Sequence, residues 1–268
     1  MNIIVCIKQI PNTAEVKINP ETGTLMREGI PGIVNPFDEF AIEEALTLRS
    51  KFKGKVTVIT MGPPQAVSAL REALAMGADE AVLLSDRAFA GADTWSTSYT
   101  LAAAISKAGS FDIILCGKQA IDGDTGQVGP GIAVQLGITP LTYVSKIHSL
   151  EFEPSPGTIV VERTLDEGRE ITEARLPVLM TVVKDINVPR LATIADIHRA
   201  VRIKILTWTA ADLPGIDSQK LGLNGSPTRV VKIASPPLRA VKVDMINADS
   251  VDLAASILVG KLFDSKVL

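Results

Sequence analysis

The chain has 268 residues, of which 46% are hydrophobic and 21% charged, enough for a sizeable core and too apolar for global disorder. Its net charge of −3 argues against nucleic acid as the main partner, because neutralising phosphates needs a surplus of Lys and Arg. The N-terminal apolar run is too short for a signal peptide, and no stretch approaches the roughly 18 apolar residues of a membrane helix. We therefore expect a cytoplasmic protein without membrane insertion.

Short β-branched runs alternate with helical patterns over the first half of the chain. The predicted strands are the apolar runs 3–8, 55–61, 81–84 and 113–116, with two shorter runs at 16–18 and 25–27. The predicted helices begin after Asn35, at 66, after Asp93 and at about 127, and the last three end near 76, 108 and 136. This alternation predicts an α/β fold with a doubly wound, mostly parallel, Rossmann-like sheet.

From Pro140 onward the pattern changes to alternating strands. The runs 158–165 and 170–172 flank Asp166-Glu167-Gly168-Arg169, which predicts a β-hairpin, and 177–183 predicts a further strand. This hairpin follows the parallel part of the sheet in the chain.

After Lys184 prolines interrupt the chain, and we expect only two helices, at 197–205 and at about 250–263. These segments are too few to close a core of their own. We therefore divide the chain into an α/β nucleotide-binding domain, 1–184, and an irregular C-terminal arm, 185–268.

Ligands of open parallel sheets bind beyond the carboxyl ends of the strands. Three predicted strands end in unusual sequence: Cys6-Ile7-Lys8, Met61-Gly62-Pro63 and Cys116-Gly117-Lys118. The third opens the glycine-rich run 117–130, where free N–H groups around 125–129 would suit a diphosphate. Asp122 and Asp124 could accept hydrogen bonds from ribose hydroxyls, or simply cap the following helix.

Other interpretations of these residues stay open. The run is neither a Walker loop nor G-x-G-x-x-G, so an ordinary polar loop also explains it. Lys8 could meet a phosphate or lie in solvent, and Asn35-Pro36-Phe37-Asp38 predicts on its own only a helix start. The two cysteines, Cys6 and Cys116, indicate buried thiols, and we expect neither a metal site nor a catalytic residue.

Taken together, these residues resemble the β subunit of electron-transferring flavoproteins over nearly the whole chain. The family motifs occur in the correct order at 5–8 (V-x-x-K), 35–37 (N-P-F), 73–79 (A-L-A-M-G-A-D) and 117–128 (the nucleotide loop). The family signature is matched by Arg163, Asp166, Gly168, Glu170, Leu176-Pro177 and Thr181. Glu167 and Thr172 depart from that signature, in the predicted hairpin.

The resemblance implies a heterodimer in which an α subunit carries FAD and this subunit holds an adenine nucleotide in the crevice. In one type of the family that nucleotide is a structural AMP. In the bifurcating type it is a second FAD, which takes a hydride from NADH and passes one electron to ferredoxin or flavodoxin and the other to the α-subunit FAD. The cofactor-binding residues expected are Cys6, Lys8, Asn35, Asp38, Met61, Gly62, Gly117, Lys118, Gln119, Asp122, Gly123, Asp124, Thr125, Gly126, Gln127 and Val128.

The loop sequence favours FAD over AMP. AMP-type members tend to read D-D-D-x-N-Q-T, whereas this chain has Gly123 and Gly126 in place of an aspartate and an asparagine. Two glycines would leave room for a ribityl chain and flavin, although they could also serve turn geometry alone. A stand-alone nucleotide-binding regulatory domain leaves the hairpin and the arm unexplained, and an ATP-using enzyme lacks the phosphate loop it needs.

The resemblance also implies partners beyond the α subunit. The segment 189–194 is similar to the family's recognition loop, so Arg190, Leu191 and Ile194 are expected to bind an acyl-CoA or hydroxy-acid dehydrogenase. The rest of the arm is expected to wrap the α subunit. Such a chain is not catalytic alone but belongs to an NAD-dependent, ferredoxin-linked oxidoreductase complex.

Overall fold

The computed structural model describes residues 1–12, 32–153, 155–231 and 243–267. The short runs predicted at 16–18 and 25–27 therefore lie outside the described residues. The chain forms two compact units, Met1–Val231 and Lys232–Leu268. The sheet and the candidate site belong to the first unit.

The described strands alternate with helices through most of the first unit. The strands are β1 (Asn2–Cys6), β2 (Gln9–Pro11), β3 (Gly32–Val34), β4 (Lys55–Met61), β5 (Glu80–Leu84), β6 (Ile113–Gly117), β7 (Thr139–Glu151), β8 (Thr158–Leu165), β9 (Gly168–Arg175), β10 (Val178–Val182) and β11 (Leu206–Trp208). The helices are α1 (Pro36–Phe52), α2 (Val67–Met76), α3 (Thr94–Ala108), α4 (Val128–Leu136), α5 (Ile194–Arg202), α6 (Gly222–Gly225) and α7 (Val251–Asp264).

Nine of these strands form one sheet in the order β11-β5-β4-β1-β6-β10-β7-β8-β9. All neighbours from β11 to β7 are parallel, and only β8 and β9 add as an antiparallel hairpin. Alternate side chains of β1 enter two different cores: Ile3 and Val5 pack with α1 and α2, and Ile4 and Cys6 with α3 and α4. The predicted doubly wound, mostly parallel α/β fold is confirmed.

Local sequence explains most of the helix boundaries. Asp93 caps α3 by accepting hydrogen bonds from the N–H groups of Trp95 and Ser96, each at 3.0 Å. Helix α5 begins at Ile194, three residues before the predicted start, because Thr193 and Asp196 form a reciprocal capping box.

Two strands of the sheet were not predicted from the sequence. Strand β7 contains Pro140 and does not keep a strict alternation of buried and exposed residues, so its sequence pattern does not predict a strand. Strand β11 has three residues and depends on pairing with β5.

The segment 185–231 belongs to the first unit, so the compact boundary falls after Val231 and not after Lys184, where we expected it. Helix α5 packs on α2, where the Arg71 guanidinium donates to the carbonyl oxygens of Ala200 and Ile203 at 2.6 and 2.5 Å. Ala200 of α5 is buried in the same hydrophobic core as α2, so the segment shares a core that it cannot build alone.

The second unit contains α7, which corresponds to the helix predicted at 250–263. The Ser250 hydroxyl accepts a hydrogen bond from the Leu253 N–H at 3.2 Å and caps its start. Among the described residues, no helix is both long and apolar enough to cross a membrane.

Candidate functional site

The three unusual strand ends meet at one edge of the sheet. In the parallel register Cys6 pairs with Ile59 of β4 on one side and with Cys116 of β6 on the other. The carboxyl ends of β1, β4 and β6 therefore lie side by side, as the sequence predicted for a ligand crevice. Cys6 and Cys116 are both buried, which agrees with their interpretation as core thiols.

Asp38, in the first turn of α1, joins two of these strand ends. Its side chain is buried, and its Oδ2 and Oδ1 accept hydrogen bonds from the N–H groups of Lys8 and Gly117 at 2.7 and 3.1 Å. Burial raises the pKa of Asp38 to about 7, although these hydrogen bonds and the Lys8 charge favour the carboxylate. Position 117 requires glycine, because a Cβ there would collide with Asp38 and with the backbone of Phe37.

Asn35 binds the main chain at the start of the glycine-rich loop. It occupies the N-cap position of α1, which confirms the predicted helix start, although its side chain makes no cap hydrogen bond there. Instead its Nδ2 donates to the Gln119 carbonyl at 2.8 Å, and its Oδ1 accepts from the Ile121 N–H at 3.1 Å. Asn35 is fully buried, so these two bonds satisfy groups that water does not reach.

The acidic residues of the loop bind neighbouring side chains. The Lys8 ammonium lies 2.7 and 2.9 Å from the two carboxylate oxygens of Asp122, and the Gln119 side-chain amide donates to Asp124. Helix α4 has Gln127 at its N-cap. The alternative that these aspartates cap α4 is therefore wrong.

The start of α4 presents a row of backbone donors. Within the described parts of the chain, the N–H groups of Thr125, Gly126, Gln127 and Val128 have no hydrogen-bond acceptor. Gly126 is left-handed with φ of 63° and is followed by right-handed Gln127, an alternation that forms anion-binding concavities. A side chain at Gly123 would meet no described atom within 4 Å of its Cβ. These donors and this space fit the diphosphate of a nucleotide.

Two aromatic rings flank Lys118, and neither was among the cofactor-binding residues expected from the sequence. The Lys118 ammonium lies 5.4 Å from the ring centroids of both Phe37 and Tyr143. Tyr143 has φ of 59°, at an irregularity in the β7–β10 pairing, and its N–H donates to Thr181 Oγ1 at 3.2 Å. No sequence signal marks Tyr143, because β7 itself was not recognised.

The signature residue Arg163 supports this aromatic wall. Its Nε donates to the Thr142 carbonyl at 2.8 Å, and its Nη1 contacts Glu170 of β9 at 2.9 Å. The signature in the hairpin thus fixes the backbone beside Tyr143, next to the crevice.

The expected partner-binding residues differ in their contacts. Leu191 and Ile194, which we call the docking pair, are 93% and 88% exposed. Arg190 instead forms an ion pair with Glu43 of α1, with Nε and Oε2 2.7 Å apart.

The fold and the edge at which these residues meet define a doubly wound α/β protein with a ligand crevice beyond the carboxyl ends of its strands. A family model described as the electron transfer flavoprotein domain matches residues 22–213. The chain belongs to this family, in its β-subunit and FixA branch, which confirms the resemblance seen in the motifs.

Three relatives illustrate the family relationship. The chain is 52% identical to the electron transfer flavoprotein subunit beta of Clostridium acetobutylicum over 239 residues, covering 89% of this chain and 90% of that protein. It is 47% identical to protein FixA of Bradyrhizobium diazoefficiens over 267 residues, covering 98% and 91%. It is 48% identical to subunit CarD of the caffeyl-CoA reductase–Etf complex of Acetobacterium woodii over 269 residues, covering both chains completely.

Proposed function

We propose that this chain is the β subunit of a heterodimeric, electron-bifurcating flavoprotein and binds FAD in the crevice beyond β1, β4 and β6. The observation that carries the proposal combines two features: the N–H groups at 125–128 have no acceptor among the described residues, and no described atom fills the space beside Gly123. Bound FAD would supply hydride exchange with NADH and single-electron exchange with ferredoxin or flavodoxin and with the α-subunit FAD. The likeness to CarD, a named subunit of a reductase–Etf complex, supports this assignment.

The residues of the crevice would hold the nucleotide by complementary charge and hydrogen bonding. The N–H groups of 125–128 would bind the diphosphate, and Lys8 would share its charge between Asp122 and a phosphate oxygen. The carboxylate of Asp124 would accept hydrogen bonds from ribose hydroxyls, and the amide of Gln119 would donate to them. Asn35 and Asp38 would keep the strand ends and the loop in place.

The edge of the sheet would contact the adenine or flavin ring. Met61 ends β4 at this edge, Gly62 follows it, and Cys6 lies on the neighbouring strand. The Phe37 and Tyr143 rings on either side of Lys118 add an aromatic wall. Apolar and aromatic side chains of this kind bury the flat face of a ring system.

The exposed surfaces would serve the protein partners. Aliphatic side chains gain free energy when a partner surface removes them from water, so the exposed docking pair would bind an acyl-CoA or hydroxy-acid dehydrogenase. The C-terminal arm would wrap the α subunit, since several apolar side chains of α7 are exposed.

A structural AMP is the alternative occupant, because the same N–H row would also bind a single phosphate. The test is to purify the chain with its co-expressed α subunit and to identify the nucleotides released on denaturation. The bifurcating proposal requires two FAD per heterodimer. One FAD and one AMP would overturn it, and would leave a non-bifurcating electron shuttle.

A further inference from the structure

The chain segment that leads into the docking pair is fastened to helix α1 by a clamp of two residues. The Nε and Nη2 atoms of Arg190 donate to Oε2 and Oε1 of Glu43 at 2.7 and 2.8 Å, and the Arg190 backbone N–H donates to Oε2 at 3.1 Å. One carboxylate thus fixes both the side chain and the main chain of the residue directly before Leu191. The planar guanidinium makes this two-bond contact with a carboxylate, and a lysine ammonium cannot reproduce it.

A second attachment holds the same segment three residues earlier. The Asn187 amide donates to Oε2 of Glu44 and to the Phe40 carbonyl, both at 3.0 Å. Glu43 and Glu44 are both buried. Two adjacent carboxylates of α1 therefore hold both ends of the segment 187–190.

The charges at the clamp are matched. Burial by itself would raise the pKa of Glu43, but the hydrogen bonds and the charge of Arg190 hold that pKa below its ordinary value. The same hydrogen bonds raise the pKa of Arg190. Both groups are therefore charged at neutral pH, and losing one would leave the other without its counter-ion.

The chain is also anchored on the far side of the docking pair. The Arg199 guanidinium donates to the Leu74 carbonyl at 2.6 Å, and Arg71 bonds the carbonyls at the end of α5. The exposed pair thus lies between attachments to two core helices, α1 and α2. A loop held in this way does not need to be ordered when a partner binds, and this lowers the free-energy cost of association.

We propose that Glu43 is a positioning residue for partner docking, which acts through Arg190 to hold the docking pair ready to bind. Glu43 is buried and need not touch the partner, and Arg190 acts here through its internal contact with Glu43. The inference rests on the docking role given to Leu191 and Ile194 in the proposed function.

Trypsin tests the clamp without any partner, because it cleaves after residue 190 only when the segment opens. In the purified heterodimer, Glu43→Gln should raise the cleavage rate by about tenfold, the effect of losing hydrogen bonds to a charged group. Arg190→Lys keeps the charge and the cleavage site but loses the paired geometry, so it should act in the same direction if Glu43→Gln fails to fold. Glu39→Gln, on the same helix, is the matched control. Cleavage unchanged from wild type in both clamp variants would overturn the inference.

Electron transfer tests the link to docking, using an acyl-CoA dehydrogenase that the wild-type complex reduces. Glu43→Gln should raise the KM for this dehydrogenase several-fold at unchanged kcat and nucleotide content. A double-mutant cycle with Ile194→Asp should be non-additive, because both changes act on one contact. If the losses of transfer efficiency in the two single variants add fully in the double variant, Glu43 does not act through the docking pair, and the proposal is overturned. If Ile194→Asp alone leaves transfer unchanged, the docking role itself is wrong, while the trypsin result still decides whether the clamp exists.

Discussion

The crevice has two parts that are held in different ways: its floor, which consists of Asn35, Asp38 and the strand ends they bond, and the loop 121–127. The floor is tied by buried groups, Asn35 and Asp38, whose hydrogen bonds to main-chain atoms exclude water. The loop from 121 to 127 is exposed, apart from a half-buried Gly126, and is held mainly by the Lys8–Asp122 ion pair, in which the side chains are 47% and 23% exposed. A fixed floor can place the strand ends before a ligand arrives, whereas the loop can exchange its contacts for those of a ligand.

The sharpest test of this contrast changes the loop alone. Gly123→Asp with Gly126→Asn should remove one of the two expected flavins and abolish NADH-driven ferredoxin reduction, because the added side chains occupy the proposed ribityl path and place a carboxylate near the diphosphate. Flavin content per heterodimer is the measurement.

The backbone conformation at these two positions should allow both substitutions without unfolding the chain. Only Gly126 is left-handed, and asparagine tolerates that conformation better than most residues, while a side chain at Gly123 enters open space. The double variant should therefore fold, form the heterodimer and keep the α-subunit FAD. Retention of both flavins would contradict the FAD assignment of the loop.

The floor is tested through Asp38, whose raised pKa has a consequence for stability. Between pH 4 and 7 the folded protein keeps this carboxyl protonated longer than the unfolded chain does, so unfolding releases a proton. Stability from this group is therefore greatest at the acidic end and falls as the pH rises towards about 7.

Asp38→Asn removes that titration. Relative to this variant, the wild type should lose up to about 4 kcal/mol of unfolding free energy from pH 4 to 7, as a shift from 3.8 to about 7 implies. Urea denaturation across this pH range measures the difference. Parallel profiles for the two proteins would show that Asp38 titrates normally.

The smallest effect is expected where the loop meets the floor, at Lys8. Lys8→Met should change the unfolding free energy by less than about 1 kcal/mol, because the ion pair is partly exposed to solvent. It should also speed nucleotide release and weaken its dependence on salt, since one phosphate-facing cation is lost.

A matched pair lies at the opposite edge of the sheet. Lys55 and Glu80 are 2.7 Å apart at the amino ends of β4 and β5, and the lysine side chain is about as exposed as that of Lys8, 49% against 47%. Lys55→Met should change stability as little as Lys8→Met does, without any effect on nucleotide release. Equal rates of nucleotide release in the two variants would show that Lys8 does not bind the nucleotide.

Features set by short stretches of chain were predictable from the sequence. Strand β4 has the predicted bounds, and α3 begins at its predicted aspartate cap, because hydrophobic runs and capping residues act over a few positions. Strand β1 ends earlier than expected, at Cys6, since the Lys8 N–H bonds the Asp38 side chain and not a neighbouring strand.

Features that depend on distant partners were not predictable. Asn35 bonds Gln119, 84 residues away, and Glu43 bonds Arg190, 147 residues away. Neither pair has a local pattern, and each residue alone is typical of an ordinary helix start or helix surface. Of the candidate site, the sequence therefore identified the loop and strand ends, but not how they are held.

Helix α1 imposes a rule on exchanging segments between relatives. Its first turn holds the crevice floor, and its second holds the segment before the docking pair, with Asp38 and Glu43 only about 7.5 Å apart along the axis. A chimera that takes residues 187–205 from another family member therefore has to take the matching face of α1 as well. Exchanging the whole of α1 would also carry Asp38 and the crevice floor, so a chimera of this kind has to replace Glu43 and its neighbours while keeping Asp38.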